Sequence, residues 1–149
     1  MTGLRVGYAI GPKELISSLW LVHQYTVTCV DTIAQHVALA ALTGAQDSVE
    51  SMVNEFQKRR DIVHGRLNEI GLACMLPKGA FYVFPSVKAF HMSSEAFTEF
   101  LLKEAQVMPV PGSAFGRRGE GYIRISFTAS REKLEEALDR IEKAPKGLV

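Results

Sequence analysis

Residues 121–127 read Gly-Tyr-Ile-Arg-Ile-Ser-Phe. Ile123, Ile125 and Phe127 fall on one face of a period-two pattern, and Tyr122, Arg124 and Ser126 on the other, which predicts a strand. A strand that buries its isoleucines against a helix turns Arg124 toward solvent, a cleft or another subunit. Arginine is a permanent planar cation whose donors match carboxylate or phosphate. The plainer reading is a solvated strand arginine, because exposed arginine is common.

The strand sits between two well-marked neighbours. Before it, Pro111–Gly121 holds four glycines and one proline, the composition of a loop. After it, Ser130 is placed to cap a last helix with Leu134, Ala137, Leu138 and Ile141 as its apolar stripe and Pro145 beyond its end. Further upstream, a shorter helix is expected over 94–105 and an extended stretch over 107–110. Two strands are expected at Leu72–Met75 and Ala80–Phe84, split by Pro77-Lys78-Gly79.

The clearest element precedes these. Asp47 and Glu50 give a D-x-x-E start, and Val49, Met52, Val53, Phe56, Val63, Leu67 and Ile70 follow at helical steps to a stop at Gly71. That is an amphipathic helix of about six turns. Its run Lys58-Arg59-Arg60-Asp61 is mixed in sign and reads as a solvated face. Closer to the N-terminus, alternation over Leu4–Ile10 predicts a strand with Arg5 opposite the apolar residues. Helices are expected from Pro12, with Leu15, Ile16, Leu19 and Val22, and over Thr32–Leu42. The second half, strand–strand–helix–strand–strand–helix behind one long helix, reads as a small α/β or α+β layer.

Composition sets the outer bounds. The 149 residues are 47% hydrophobic and 22% charged, enough for a real core and too apolar for wholesale disorder. Seventeen Lys and Arg against sixteen Asp and Glu leave a formal charge of +1, so electrostatics suggest no nucleic-acid partner. Cys29 and Cys74 cannot make a disulfide framework, and a reduced, cytoplasmic chain is the default. No apolar run approaches the ~20 residues of a membrane span.

Few residues announce chemistry. His23, His36, His64 and His91 show no metal-ligand pairing, and Ser113 lacks a nucleophile elbow. Gly112–Gly116 does not match a P-loop, since Arg117-Arg118 follows. Lys13 is read as a solvated residue at a helix start. What remains is two anion-facing arginines, Arg5 and Arg124, and a glycine-rich loop.

Four segments in order carry a resemblance. Thr2-Gly3-Leu4-Arg5-Val6-Gly7-Tyr8, Gly79-Ala80-Phe81-Tyr82, Pro111-Gly112-Ser113-Ala114-Phe115-Gly116 and Gly121–Phe127 resemble the G-x-R-x-G-Y, G-[AG]-F-Y, P-G-x-x-F-G and G-x-x-R-[IL]-[SC]-[FY] segments of class I/II pyridoxal-phosphate-dependent aminotransferases of fold type I. The resemblance implies the C-terminal part of such an enzyme. Residues 1–30 correspond to a remnant of the large cofactor domain, and 31–149 to the small domain, including the linking helix 47–70. The implied fold is α/β, a small sheet packed on helices.

The resemblance implies roles as well. Arg5 would bind the phosphate of pyridoxal 5'-phosphate, Arg124 the substrate α-carboxylate, and Gly79 would let the backbone pass close to substrate. In the family the Schiff-base lysine lies eight residues before the phosphate arginine. Arg5 has four residues before it, so no lysine is carried over and no catalytic residue is assigned. The chain alone is expected neither to hold the cofactor nor to turn over. The implied partners are an amino acid, aspartate-like or aromatic, a 2-oxo acid, and a second subunit in a homo-oligomer, with no nucleic acid and no membrane. Two alternatives stay open: a non-catalytic module that binds carboxylates or a partner, and part of a β-lyase on the same scaffold.

Overall fold

Gly71 shows how closely local chemistry sets this fold. It takes φ +92°, and the N–H groups of Gly71 and Leu72 donate to the carbonyls of Asn68 (3.1 Å) and Leu67 (2.9 Å). This double bond pattern closes a helix in the Schellman manner, with Leu67 and Leu72 meeting in the core beside it. The computed structural model describes residues 2–144. Pro145, expected past the end of the last helix, lies outside them. Five helices are present among the described residues: α1 (Lys13–Thr26), α2 (Thr32–Thr43), α3 (Asp47–Glu69), α4 (Ser94–Glu104) and α5 (Arg131–Lys143). Three short strands, β1 (Tyr82–Val83), β2 (Val110–Pro111) and β3 (Ile123–Ser126), form an antiparallel sheet in the order β1-β3-β2. The small sheet packed on helices is the α/β layer expected from the sequence.

The chain divides into two compact units, Met1–Ser48 and Val49–Val149. In the second, α3, α4 and α5 supply Val63, Leu67, Phe97, Leu101, Leu134, Leu138 and Ile141 to one core with Val83 and Ile123 from the sheet. Each helix buries one stripe, as its periodicity requires. In the first, α1 buries no residue, and α2 buries only Ala34. The α2 start is nevertheless well made, since Asp31 accepts the Ala34 N–H at 2.9 Å.

Several expectations change. Residues 5–10 form no strand, because a strand needs a hydrogen-bonded neighbour and none lies beside them among the described residues. Leu72–Met75 does not join the sheet; besides the Leu72 bond, Ser86 N–H donates to the Ala73 carbonyl (2.8 Å), Cys74 N–H donates to Asn68 Oδ1 (3.1 Å), and His64 Nε2 lies 3.1 Å from the Cys74 carbonyl. Ser130 occupies the cap position of α5, yet its hydroxyl makes no capping bond. The 111–121 loop is two short 3-10 turns, Gly112–Phe115 and Arg117–Gly119.

Arg59 is not merely solvated. It bonds Glu55 (2.9 Å) and donates to the carbonyls of Thr128 (2.9 Å) and Ala129 (2.7 Å), fastening the chain between β3 and α5 onto α3. Glu55 also takes Arg131 of α5, whose Nε donates at 3.0 Å. Hydrogen bonds from Arg131 and Arg59 hold the Glu55 carboxyl well below the usual range, at about 2. Lower on the same helix, Arg66 reaches Asp139 (2.7 Å) and Glu142 (3.0 Å) of α5.

Candidate functional site

Arg124 sits mid-strand on β3, and its alternation with buried Ile123 sends its side chain off the opposite face. The register sets its neighbours. Tyr82 pairs with Ser126, two residues along from Arg124, so Tyr82 and Arg124 are diagonal partners on one face. The Arg124 guanidinium carbon lies 4.4 Å from the Tyr82 ring centroid and 4.5 Å from that of Phe115. Phe84 touches Phe115 (6.0 Å, 72°) and stacks on Tyr122 (5.6 Å, 16°), and Lys88 lies over Tyr122 at 4.8 Å.

The other partly buried arginines behave differently. Arg59, Arg60, Arg66 and Arg131 each have an acidic partner. Among the described residues Arg124 has aromatic faces on it and no carboxylate within salt-bridge distance. Arg124 also lines a cavity of about 270 Å³ with Tyr82, Val110, Ser126 and Lys133. That is near the small end of ordinary ligand pockets. A half-buried guanidinium held in place without a counter-ion can grip a small carboxylate.

Gly79 is exposed and lines a separate cavity of about 310 Å³ with Phe56, Arg60 and Phe127. A Cβ added there would meet nothing within 4 Å among the described residues. The structure therefore brings Arg124 to one cavity and Gly79 to another. Arg5 belongs to the first unit. It is exposed at φ +52°, with its Nη1 donating to the Thr2 carbonyl at 3.3 Å, and not on the strand expected for it. An exposed guanidinium such as Arg5 has the charge and the donors that a phosphate group requires. Among the described residues, nothing is gathered around Arg5 to hold the ring or the aldehyde of pyridoxal phosphate.

Tyr82 and Phe115 are the residues that sequence reading missed. For Tyr82 a signal existed, since alternation along β1 sets it opposite buried Val83. For Phe115, which lies in a turn, strand periodicity is silent.

The model of the family "aminotransferase class I and II" matches residues 1–141. The chain belongs to that family. An aromatic-amino-acid aminotransferase 2 of Thermococcus litoralis is 47% identical over 98% of the chain and 38% of its own length. An aspartate aminotransferase of Pyrococcus abyssi is also 47% identical, over 96% of the chain and 37% of its own length. The crystal structure of an aromatic aminotransferase from Pyrococcus horikoshii superposes with a TM-score of 0.87 at 45% identity, over 100% of the chain and 41% of that structure. The chain thus spans about two-fifths of the length of these aminotransferases. Pyridoxal phosphate is the cofactor that the family implies. No helix of the described residues is long and apolar enough to cross a membrane.

Proposed function

We propose that this chain supplies the carboxylate-recognition part of a pyridoxal-phosphate-dependent aminotransferase that moves an amino group between an amino acid, aspartate-like or aromatic, and a 2-oxo acid. One observation carries the reading. Of the partly buried arginines, Arg124 alone is without an acidic partner among the described residues, and it lies on the strand whose sequence resembles the family's carboxylate-binding segment. In this role Arg124 takes both carboxylate oxygens in its N–H fork and fixes the orientation of the substrate's α-carbon. Arg5 contacts the cofactor phosphate, and Gly79 leaves room for backbone to approach substrate. Residues 1–30 are a remnant of the large cofactor domain, and 31–149 are the small domain. The assembled enzyme is a cytoplasmic homo-oligomer.

No residue here takes the part of the Schiff-base lysine, so the 149-residue chain alone is expected to show no transamination and no aldimine absorbance with pyridoxal phosphate. Turnover by the chain with any amino donor would refute that part. Calorimetry with amino acids and 2-oxo acids tests the rest. Binding that disappears in Arg124→Ala supports the reading, and equal heats from both proteins oppose it.

A further inference from the structure

We propose that Tyr82 and Phe115 are positioning residues for Arg124: each sets a ring face against its guanidinium, and together they hold it so that its N–H fork meets an incoming carboxylate. The inference rests on the reading of Arg124 as the carboxylate grip. All five donors of a guanidinium lie in its plane. A carboxylate partner takes some of those donors, as Asp139 and Glu142 do for Arg66. Aromatic faces take none. At 4.4 and 4.5 Å, both rings are well inside the ~6 Å reach of a cation–π contact. The two rings therefore contact Arg124 without engaging it as a carboxylate would, and among the described residues no carboxylate takes its fork.

Each jaw has its own support. Tyr82 is set by the β1–β3 register. Phe115 ends a 3-10 turn that is packed backbone against backbone. A Cβ on Gly112 would lie 2.1 Å from the Gly119 carbonyl oxygen, and one on Gly119 would lie 1.9 Å from that of Gly112. No side chain fits at either position. Gly112 N–H donates to the Tyr122 carbonyl (2.8 Å), and buried Ser94 Oγ accepts from Gly121 N–H (2.8 Å). These bonds tie the loop to β3 and to the start of α4. The glycine-rich segment thus does more than connect β2 to β3, because it delivers a ring to the face of Arg124.

The test is nitrogen-15 NMR of the whole chain. The Arg124 Nε–H signal is identified by its loss in Arg124→Lys. Two rings at 4.4 and 4.5 Å should displace that signal by ring currents. The displacement should shrink in Tyr82→Leu and in Phe115→Leu and persist in Tyr82→Phe. Titration with 2-oxoglutarate should move the same signal, with affinity falling about two- to fivefold for each leucine variant and recovering in Tyr82→Phe. Both sites are surface-exposed, and unchanged core amide signals check that the variants fold. Should 2-oxoglutarate move Arg124 equally in the wild type and both leucine variants, the clamp is overturned and the carboxylate reading stands. Should it leave Arg124 unmoved in the wild type, the carboxylate reading itself fails, and the positioning role with it.

Discussion

Residues 2–48 and residues 49–144 both carry helices with apolar residues at helical spacing, yet only one of the two stretches covers them. In the first, Ile10, Trp20, Tyr25 and Ile33 are 65–89% exposed, and Ala34 is the one buried hydrophobic residue. In the second, thirteen residues from three helices, the sheet and the loops between them close a single core. Periodicity forecasts a helix, but burial depends on a second element within reach. Helices of 14 and 12 residues such as α1 and α2 are marginal in water by themselves. The second unit should hold the cooperative stability and the first the low end of it.

The largest expected effect tests that division. Phe97→Ala, which empties a fully buried site between α4 and the core, should cost about 3–5 kcal/mol. Trp20→Ala on exposed α1 should change stability by no more than about 0.5 kcal/mol. Denaturation followed by circular dichroism measures both, and equal losses would break the comparison. Trp20 is the only tryptophan, so its quenching by acrylamide reads the first unit alone. It should be quenched almost as readily in the folded chain as in the unfolded one.

A smaller effect follows from Glu55. Its carboxyl titrates near 2 in the folded chain, below the ordinary 4.5, so the folded state holds it ionised more firmly than the unfolded state does. That contribution is complete above pH ~4.5 and fades as the pH falls toward ~2. Glu55→Gln should flatten this acid limb of a stability-against-pH curve, and an unchanged limb would discount the Glu55–Arg59–Arg131 tie. The smallest effect concerns Ser113, whose Oγ is buried with no hydrogen-bond partner among the described residues. Ser113→Ala should raise stability by up to ~1 kcal/mol, because it removes an unmatched polar atom. A loss would mean that the hydroxyl has a partner in solution.

How much of this was legible in the sequence follows the same line. The helices α2, α3 and α4 stand within about two residues of their expected limits, because caps and stops are local chemistry. The strand expected at Leu4–Ile10 failed because pairing is not local. Alternation offers a face, and only a neighbour makes it a sheet. At the site, the face of Arg124 was legible from alternation, while its carboxylate role came only from the family resemblance. Its aromatic neighbours were not, since Tyr82 meets it through cross-strand register and Phe115 through a turn whose path depends on two glycines in close contact. Arg59 was misread for a similar reason, as its carbonyl partners lie 69 and 70 residues away.

The central claim, that Arg124 is the carboxylate grip of an aminotransferase, is tested most directly by a chimera. Residues 2–144 would replace the corresponding segment of the Pyrococcus horikoshii enzyme, and transamination kinetics would be compared with and without Arg124→Ala. The account predicts an active chimera whose kcat/KM falls at least ~30-fold on that change, the scale set by leaving one member of a close ion pair unmatched. An active chimera indifferent to Arg124→Ala would contradict it.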